Sequence, residues 1–226
     1  MADTTPSRPG LGPGNPLIPA LVTLTVATGM VDALSYLELD RVFVANMTGN
    51  IVFIAFALVD AANFSVVASL VALAAFMVGS IIGGQLGHRL TQRTRLFVAF
   101  TGVEVVLLLV AILVTLLPTT DPTVHRYGLI VLLATAMGVQ NAGVRKLAVP
   151  NLTTTVLTMA VTGIAADGRV AGGTDSKVGI RGLSIAAMLG GALLGAFLIE
   201  QRLVTLCVGV ATALVALSCA LVITRR

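Results

Sequence analysis

Charge is what this sequence lacks most. Only 11% of its 226 residues are Asp, Glu, Lys or Arg, while 57% are hydrophobic and mean hydropathy is +1.01. A soluble domain carries about 25% charged residues, so a water-covered globular surface is excluded. The charge-free stretches are also long: residues 9–31, 42–59, 61–87, 105–120, 127–144, 147–166, 182–199 and 203–224 hold no Asp, Glu, Lys, Arg or His. Most are long enough for a helix to cross a hydrocarbon layer of about 30 Å in about 20 residues. The chain reads as an all-α polytopic membrane protein whose first partner is the lipid bilayer.

Other absences narrow its chemistry. Its two cysteines, Cys207 and Cys219, lie twelve residues apart in one apolar run, roughly 18 Å along a helix and beyond disulfide reach. His88 and His125 stand alone at helix ends without metal-ligand spacing. Ser35 lies near Asp32 but has no neighbouring His, so a Ser-His-Asp hydrolase is unsupported. The glycines fall inside apolar helices and not in a βαβ setting, which leaves no nucleotide fingerprint. No enzymatic activity, catalytic residue, metal or cofactor is expected. The net charge of +4 comes from 12 Arg and 2 Lys scattered between apolar runs, which sets topology and argues against a nucleic-acid partner.

Residues 1–16 carry four prolines and three glycines and read as a disordered tail. The rest, 17–223, reads as one transmembrane domain. Long helices are expected at about 17–36, 65–87, 96–117, 126–143, 180–200 and 203–223, with shorter, more polar segments at 45–60 and 150–166. The halves, about 17–117 and 126–223, look duplicated. Gly29-Met30-Val31-Asp32-Ala33 matches Gly138-Val139-Gln140-Asn141-Ala142, and Asn46-Met47-Thr48 matches Asn151-Leu152-Thr153. Met77-Val78-Gly79 with Gly84 matches Met188-Leu189-Gly190 with Gly195, and Arg95-Leu96 matches Arg202-Leu203.

Arg89, Arg93 and Arg95, the pair Arg145-Lys146, and the terminal Arg225-Arg226 should all be cytoplasmic. Six spans with two half-helices satisfy all three groups and put both termini in the cytoplasm. Three crossings per half make the repeat inverted. Eight spans would place Arg225 and Arg226 outside.

A charge inside a membrane helix costs about 2.5–3.5 kcal/mol on insertion scales, which makes an intramembrane carboxylate a functional candidate. Asp32 and Glu104 qualify as proton-coupling groups. Asp32 shares a helical face with Thr25, Thr28, Gly29, Ser35 and Tyr36. That stripe either lines a cavity or knots helices together. Each short segment has an extended lead-in followed by an Asn that opens a helix. Paired interruptions of this kind point to a midplane transport site at a repeat interface, where half-helix N-termini meet an anionic group. The candidate substrate-binding residues are Asp32, Asn46, Thr48, Gly49 and Asn50 from the first half and Asn141, Asn151, Thr153 and Thr154 from the second. Gly79, Gly83 and Gly87, echoed by Ala187, Gly191 and Gly195, form small-residue helix faces that offer a homo-oligomer contact.

At Gly29-Met30-Val31-Asp32-Ala33-Leu34-Ser35-Tyr36, followed by Phe43-Val44-Ala45-Asn46-Met47-Thr48-Gly49-Asn50, the sequence resembles the YoaK-like family of small bacterial membrane proteins, the domain-of-unknown-function 1275 family. The resemblance covers residues 17–223 and implies a bacterial inner-membrane protein of about six spans, with no substrate attached. The second half departs from the pattern, having Asn141 for the Asp and Thr153-Thr154-Thr155 for Thr-Gly-Asn. Two functions are expected from these residues: a small secondary transporter or channel for a small polar or anionic solute, or a non-transporting scaffold or lipid-interacting protein.

Overall fold

The computed structural model describes residues 15–61, 64–118, 121–149, 157–168, 171–173 and 177–224. The expected tail lies almost wholly outside them. Eight helices are present among the described residues: α1 (Leu17–Glu38), α2 (Met47–Leu58), α3 (Val66–Arg89), α4 (Arg93–Leu116), α5 (Pro122–Leu147), α6 (Leu157–Ala166), α7 (Val178–Glu200) and α8 (Val204–Thr224). Six are long and apolar enough to cross a membrane, while α2 and α6 are not. At 1.5 Å per residue, the 12 residues of α2 reach only about 18 Å.

The helix ends follow capping chemistry. Asn46 and Ser65 accept from Gly49 and Ala68 N–H at the starts of α2 and α3. Asp121 accepts from Thr123 and Val124 at the start of α5, with Pro122 in the first turn. This cap starts α5 four residues before the expected position. The helix also continues through Arg145 and Lys146, because charge ends a membrane run without ending a helix.

The N–H of Thr123, ahead of other causes, holds the Asp121 carboxyl below the usual aspartate range. Its cap is therefore intact at neutral pH and weakens as pH falls through that lowered value. Melting curves of Asp121→Ala should fall below those of the native chain at neutral pH and converge with them in acid. A constant gap would reject the assignment.

α1 and α5 are the inner helices: 67% and 61% of their apolar windows are buried, against 33–39% in the other four. Both are gripped through glycines. A Cβ on Gly79 or Gly83 of α3 would strike the carbonyls of Thr135 or Val139 on α5, and one on Gly138 would strike that of Phe76 on α3. Correspondingly, Gly191 and Gly195 of α7 back onto Val26 and Met30 of α1, and Gly29 backs onto Met188. Close backbone approach through small residues is how membrane helices pack without a hydrophobic driving force.

Gly79 and Gly83 thus grip α5 as Gly191 and Gly195 grip α1, whereas the strings matched in the sequence pair Gly79 with Gly190 and Gly84 with Gly195. Gly79, Gly83, Gly191 and Gly195 are covered inside the chain.

The same contacts fix directions. Gly79, Gly83 and Gly87 meet Thr135, Val139 and Lys146 in order, so α3 runs parallel to α5; α7 likewise runs parallel to α1. α4 is antiparallel to α5, with Phe100 at Gly143 and Val114 O 3.0 Å from His125 Nε2. α1 crosses α5 antiparallel, with Thr28 at Gln140 and Asp40 at Arg126. α1 also packs on α8, and α4 joins α8 to α5. One end of the bundle thus collects Arg89, Arg93, Arg95, Arg145, Lys146, Lys177 and Arg181, with Asp167 paired to Arg181. The other collects Glu38, Asp40, Asp60, Asp121 and Glu200 with Arg41, Arg126 and Arg202.

Candidate functional site: a clamped half-helix

After α1 the chain reverses through Asp40 and Arg41, both left-handed at φ 61° and 56°. It then re-enters the bundle as the segment Val42–Ala45, in which Val42, Val44 and Ala45 are buried. Backbone away from both helix and sheet at this depth needs protein partners, and the motif residues supply them. Asp32 Oδ1 accepts from Ala45 N–H at 2.8 Å and Val44 N–H at 3.2 Å. Asn50, fully buried, accepts from Phe43 N–H at 2.9 Å and donates to Phe43 O at 2.6 Å. Gly49 leaves the space that the Phe43 ring occupies. That ring stacks on Tyr36 and Phe53, with Phe53 stacked in turn on Phe64.

The candidate residues of the first half therefore do different work. Asp32, Gly49 and Asn50 form a clamp that holds the segment. The Asn46 side chain and Thr48 are exposed at the mouth of α2, where first-turn N–H groups lack intrahelical acceptors. Asp32 Oδ2 takes no hydrogen bond among the described residues. The Thr and Ser hydroxyls of the α1 stripe bond to their own helix: Thr25 to Leu21 O, Thr28 to Leu24 O and Ser35 to Asp32 O.

In the second half, Asn141 is half-buried and its Nδ2 donates to Met137 O at 2.9 Å. Asn151, Thr153 and Thr154 lie outside the described residues. α2 packs on α3 and α6 on α7, and the two short helices do not touch. Among the described residues, Asp32, Gly49 and Asn50 with Asn46 and Thr48 gather at the α1–α2 junction, and Asn141 stands apart from them on α5.

Two features escaped the sequence reading. Gln140, fully buried, donates from Nε2 to Thr28 Oγ1 at 2.8 Å and joins the halves at the crossing. The signal was an amide in an otherwise apolar helix, beside the residue that the repeat had singled out. The second feature is a cleft of about 500 Å³ at the acidic end, lined by Glu38, Thr115, His125, Arg126, Arg202 and Thr205 among others. Arg126 bonds Asp40 at 2.5 Å beside it. These residues converge from the end of α1, the α4–α5 turn and the start of α8.

No solved structure matches the chain. Over 129 residues it is 32% identical to the UPF0700 transmembrane protein YoaK of Bacillus subtilis (strain 168), a match covering 57% of each chain. The chain thus spans little more than half the length of this curated relative. The family model described as protein of unknown function (DUF1275) matches residues 20–221. With that match over nearly the whole helical bundle, this multi-pass membrane protein belongs to the DUF1275 family.

Proposed function

We propose that the protein is a small secondary transporter or channel for a small polar or anionic solute, coupled to protons through Asp32. The observation that carries this reading is the re-entrant segment fastened to one carboxyl oxygen of Asp32, with the exposed mouth of α2 beside it. Protonation weakens a carboxylate as an acceptor, so a proton on Asp32 loosens the segment and couples proton binding to movement of α2.

Antiparallel counterparts in the two halves support an inverted repeat, the plan on which many transporters build midplane sites. The basic end is assigned to the cytoplasm, with both chain termini there and the bundle in a bacterial inner membrane. Asn46 and Thr48, with Asn141, Asn151, Thr153 and Thr154 from the other half, are proposed to meet solute. Asp32, Gly49 and Asn50 hold the backbone that presents it.

One observation favours a non-transporting scaffold or lipid-interacting protein: Asp32 and Asn50 are engaged in holding the backbone of Phe43, Val44 and Ala45. Uptake by proteoliposomes under an imposed pH gradient separates the two readings, after a thermal-shift screen of ions, organic acids and nucleobases has identified a ligand. Asp32→Asn should abolish pH-driven uptake in a folded protein. Unchanged pH dependence would remove Asp32 from coupling, and no uptake or ligand shift at all favours the scaffold.

A further inference from the structure

Among the described residues, three buried acceptor oxygens of the bundle have no donor. Glu104 on α4 is fully buried, and neither carboxyl oxygen has a hydrogen-bond partner. Gln140 on α5 is equally buried; its Nε2 is committed to Thr28, and its Oε1 is unpartnered. Helix register brings these groups together. Phe100 packs at Gly143 in an antiparallel pair. One turn forward from Phe100 is Glu104, and one turn back from Gly143 is Gln140, on the same facing sides. Thr28 adds α1, so the cluster spans both halves.

Among the described residues, the buried polar side chains on the other helices packed against α4 are Cys207, Thr212 and Ser218 of α8 and Ser69 of α3. None is basic, and the Cys207 thiol is the titratable one. Leu108 and Ala111 of α4, with Ile130 and Leu133 of α5, are buried between the cluster and the cleft. An ionised carboxyl buried without a counter-charge is strongly destabilising, and the free atom on Gln140 is another acceptor. A positive charge supplies what all three oxygens lack.

We propose that Glu104 and Gln140 form a site for one monovalent cation, a proton or an alkali-metal ion, between the two halves. A proton on one Glu104 oxygen is donated to Gln140 Oε1. An alkali-metal ion is held by the same oxygens. The site deepens the proton-coupled reading and rests on it for its use, but binding is measurable without transport.

The test is the melting temperature of the full chain in lipid nanodiscs at constant ionic strength. It is followed from mildly acidic to alkaline pH in choline chloride, then with NaCl or KCl replacing choline at alkaline pH. A bound proton stabilises the folded state at low pH, so the native chain should lose stability as pH rises. Saturating rescue by NaCl or KCl identifies an alkali-metal ion, and its absence identifies the proton. Glu104→Gln should abolish the salt dependence and reduce the pH dependence to the part carried by Asp32, and Gln140→Leu should weaken cation binding roughly tenfold, about one hydrogen bond. Identical profiles in the native chain and Glu104→Gln overturn the proposal. If Glu104→Gln does not fold, Glu104→Asp replaces it: a displaced midpoint supports the site, and an unmoved one overturns it. Flat profiles with intact pH-driven uptake reject the site alone, whereas cation-dependent stability without uptake rejects transport alone.

Discussion

Replacing Gly138 by leucine should abolish the folded monomer, while the same replacement at Gly84 leaves it intact. At Gly138 the first added carbon meets the Phe76 carbonyl and the Ser80 N–H on α3. These are backbone atoms and cannot rotate away. Leucine fits only if α3 and α5 separate, which breaks Ser80 Oγ to Gly138 O and Thr135 Oγ1 to Ala75 O as well as the packing. Overpacking of an ordinary core costs about 1–3 kcal/mol, and this site lies at or beyond the upper end because no side chain can yield. A Cβ at Gly84 meets nothing within 4 Å, so no backbone stands against the first added carbon and the helix gains propensity over glycine. Gly29→Leu should match Gly138→Leu, since the Met188 carbonyl stands against it as Phe76 stands against Gly138. Size-exclusion profiles and melting in detergent measure all three. A monodisperse Gly138→Leu protein melting near the native temperature would refute the backbone-contact account.

Much of this fold was legible because a bilayer imposes simple demands on sequence. The six long helices lie within a few residues of the spans expected from the sequence, apart from the ends of α5, where Asp121 and Pro122 supply a start signal that charge spacing does not contain. The matched Gly29 and Gly138 both face a backbone carbonyl of a neighbouring helix. In α3 and α7 the strings Met77-Val78-Gly79 and Met188-Leu189-Gly190 look alike, whereas the glycines that face carbonyls are Gly79 and Gly191, because packing is decided by direction and not by the string. Within the site, Asp32 and the Thr-Gly-Asn stretch stood out as polar residues in apolar surroundings. Composition gave no way to tell a residue that touches solute from one that holds backbone: Asn46 and Asn50, four residues apart, end up exposed and buried respectively. Gln140 carries neither a charge nor a helix-start signal and is masked in sequence by its neighbour Asn141, yet an amide is as costly to bury unpaired as many hydroxyls are. The cleft was beyond sequence reasoning, since Glu38, Arg126 and Arg202 meet only through the antiparallel packing of α1, α5 and α8.

Asp32→Ala should destabilise the protein by about 2–5 kcal/mol, because it leaves the buried N–H groups of Val44 and Ala45 without an acceptor at about 1–3 kcal/mol each. Asp32→Asn retains a carbonyl oxygen that can accept from both, so its loss should be about 1 kcal/mol, the difference between a charged and a neutral acceptor. The order native, Asn, Ala separates the mechanical role of Asp32 from any role for its proton. A coupling function is tested in the Asn variant, where the segment stays fastened, and not in the Ala variant, where both are lost. In the second half the counterpart of Asp32 is Asn141, and the counterpart of Ala45 is Pro150, which has no N–H to donate. One donor fewer there coincides with an uncharged amide in place of a carboxylate. If the carboxylate serves chiefly to hold two N–H groups, hydrogen exchange at Val44 and Ala45 should accelerate strongly in Asp32→Ala and little in Asp32→Asn. Equal acceleration in both variants would show that negative charge, and not the presence of an acceptor, keeps the half-helix in the bundle.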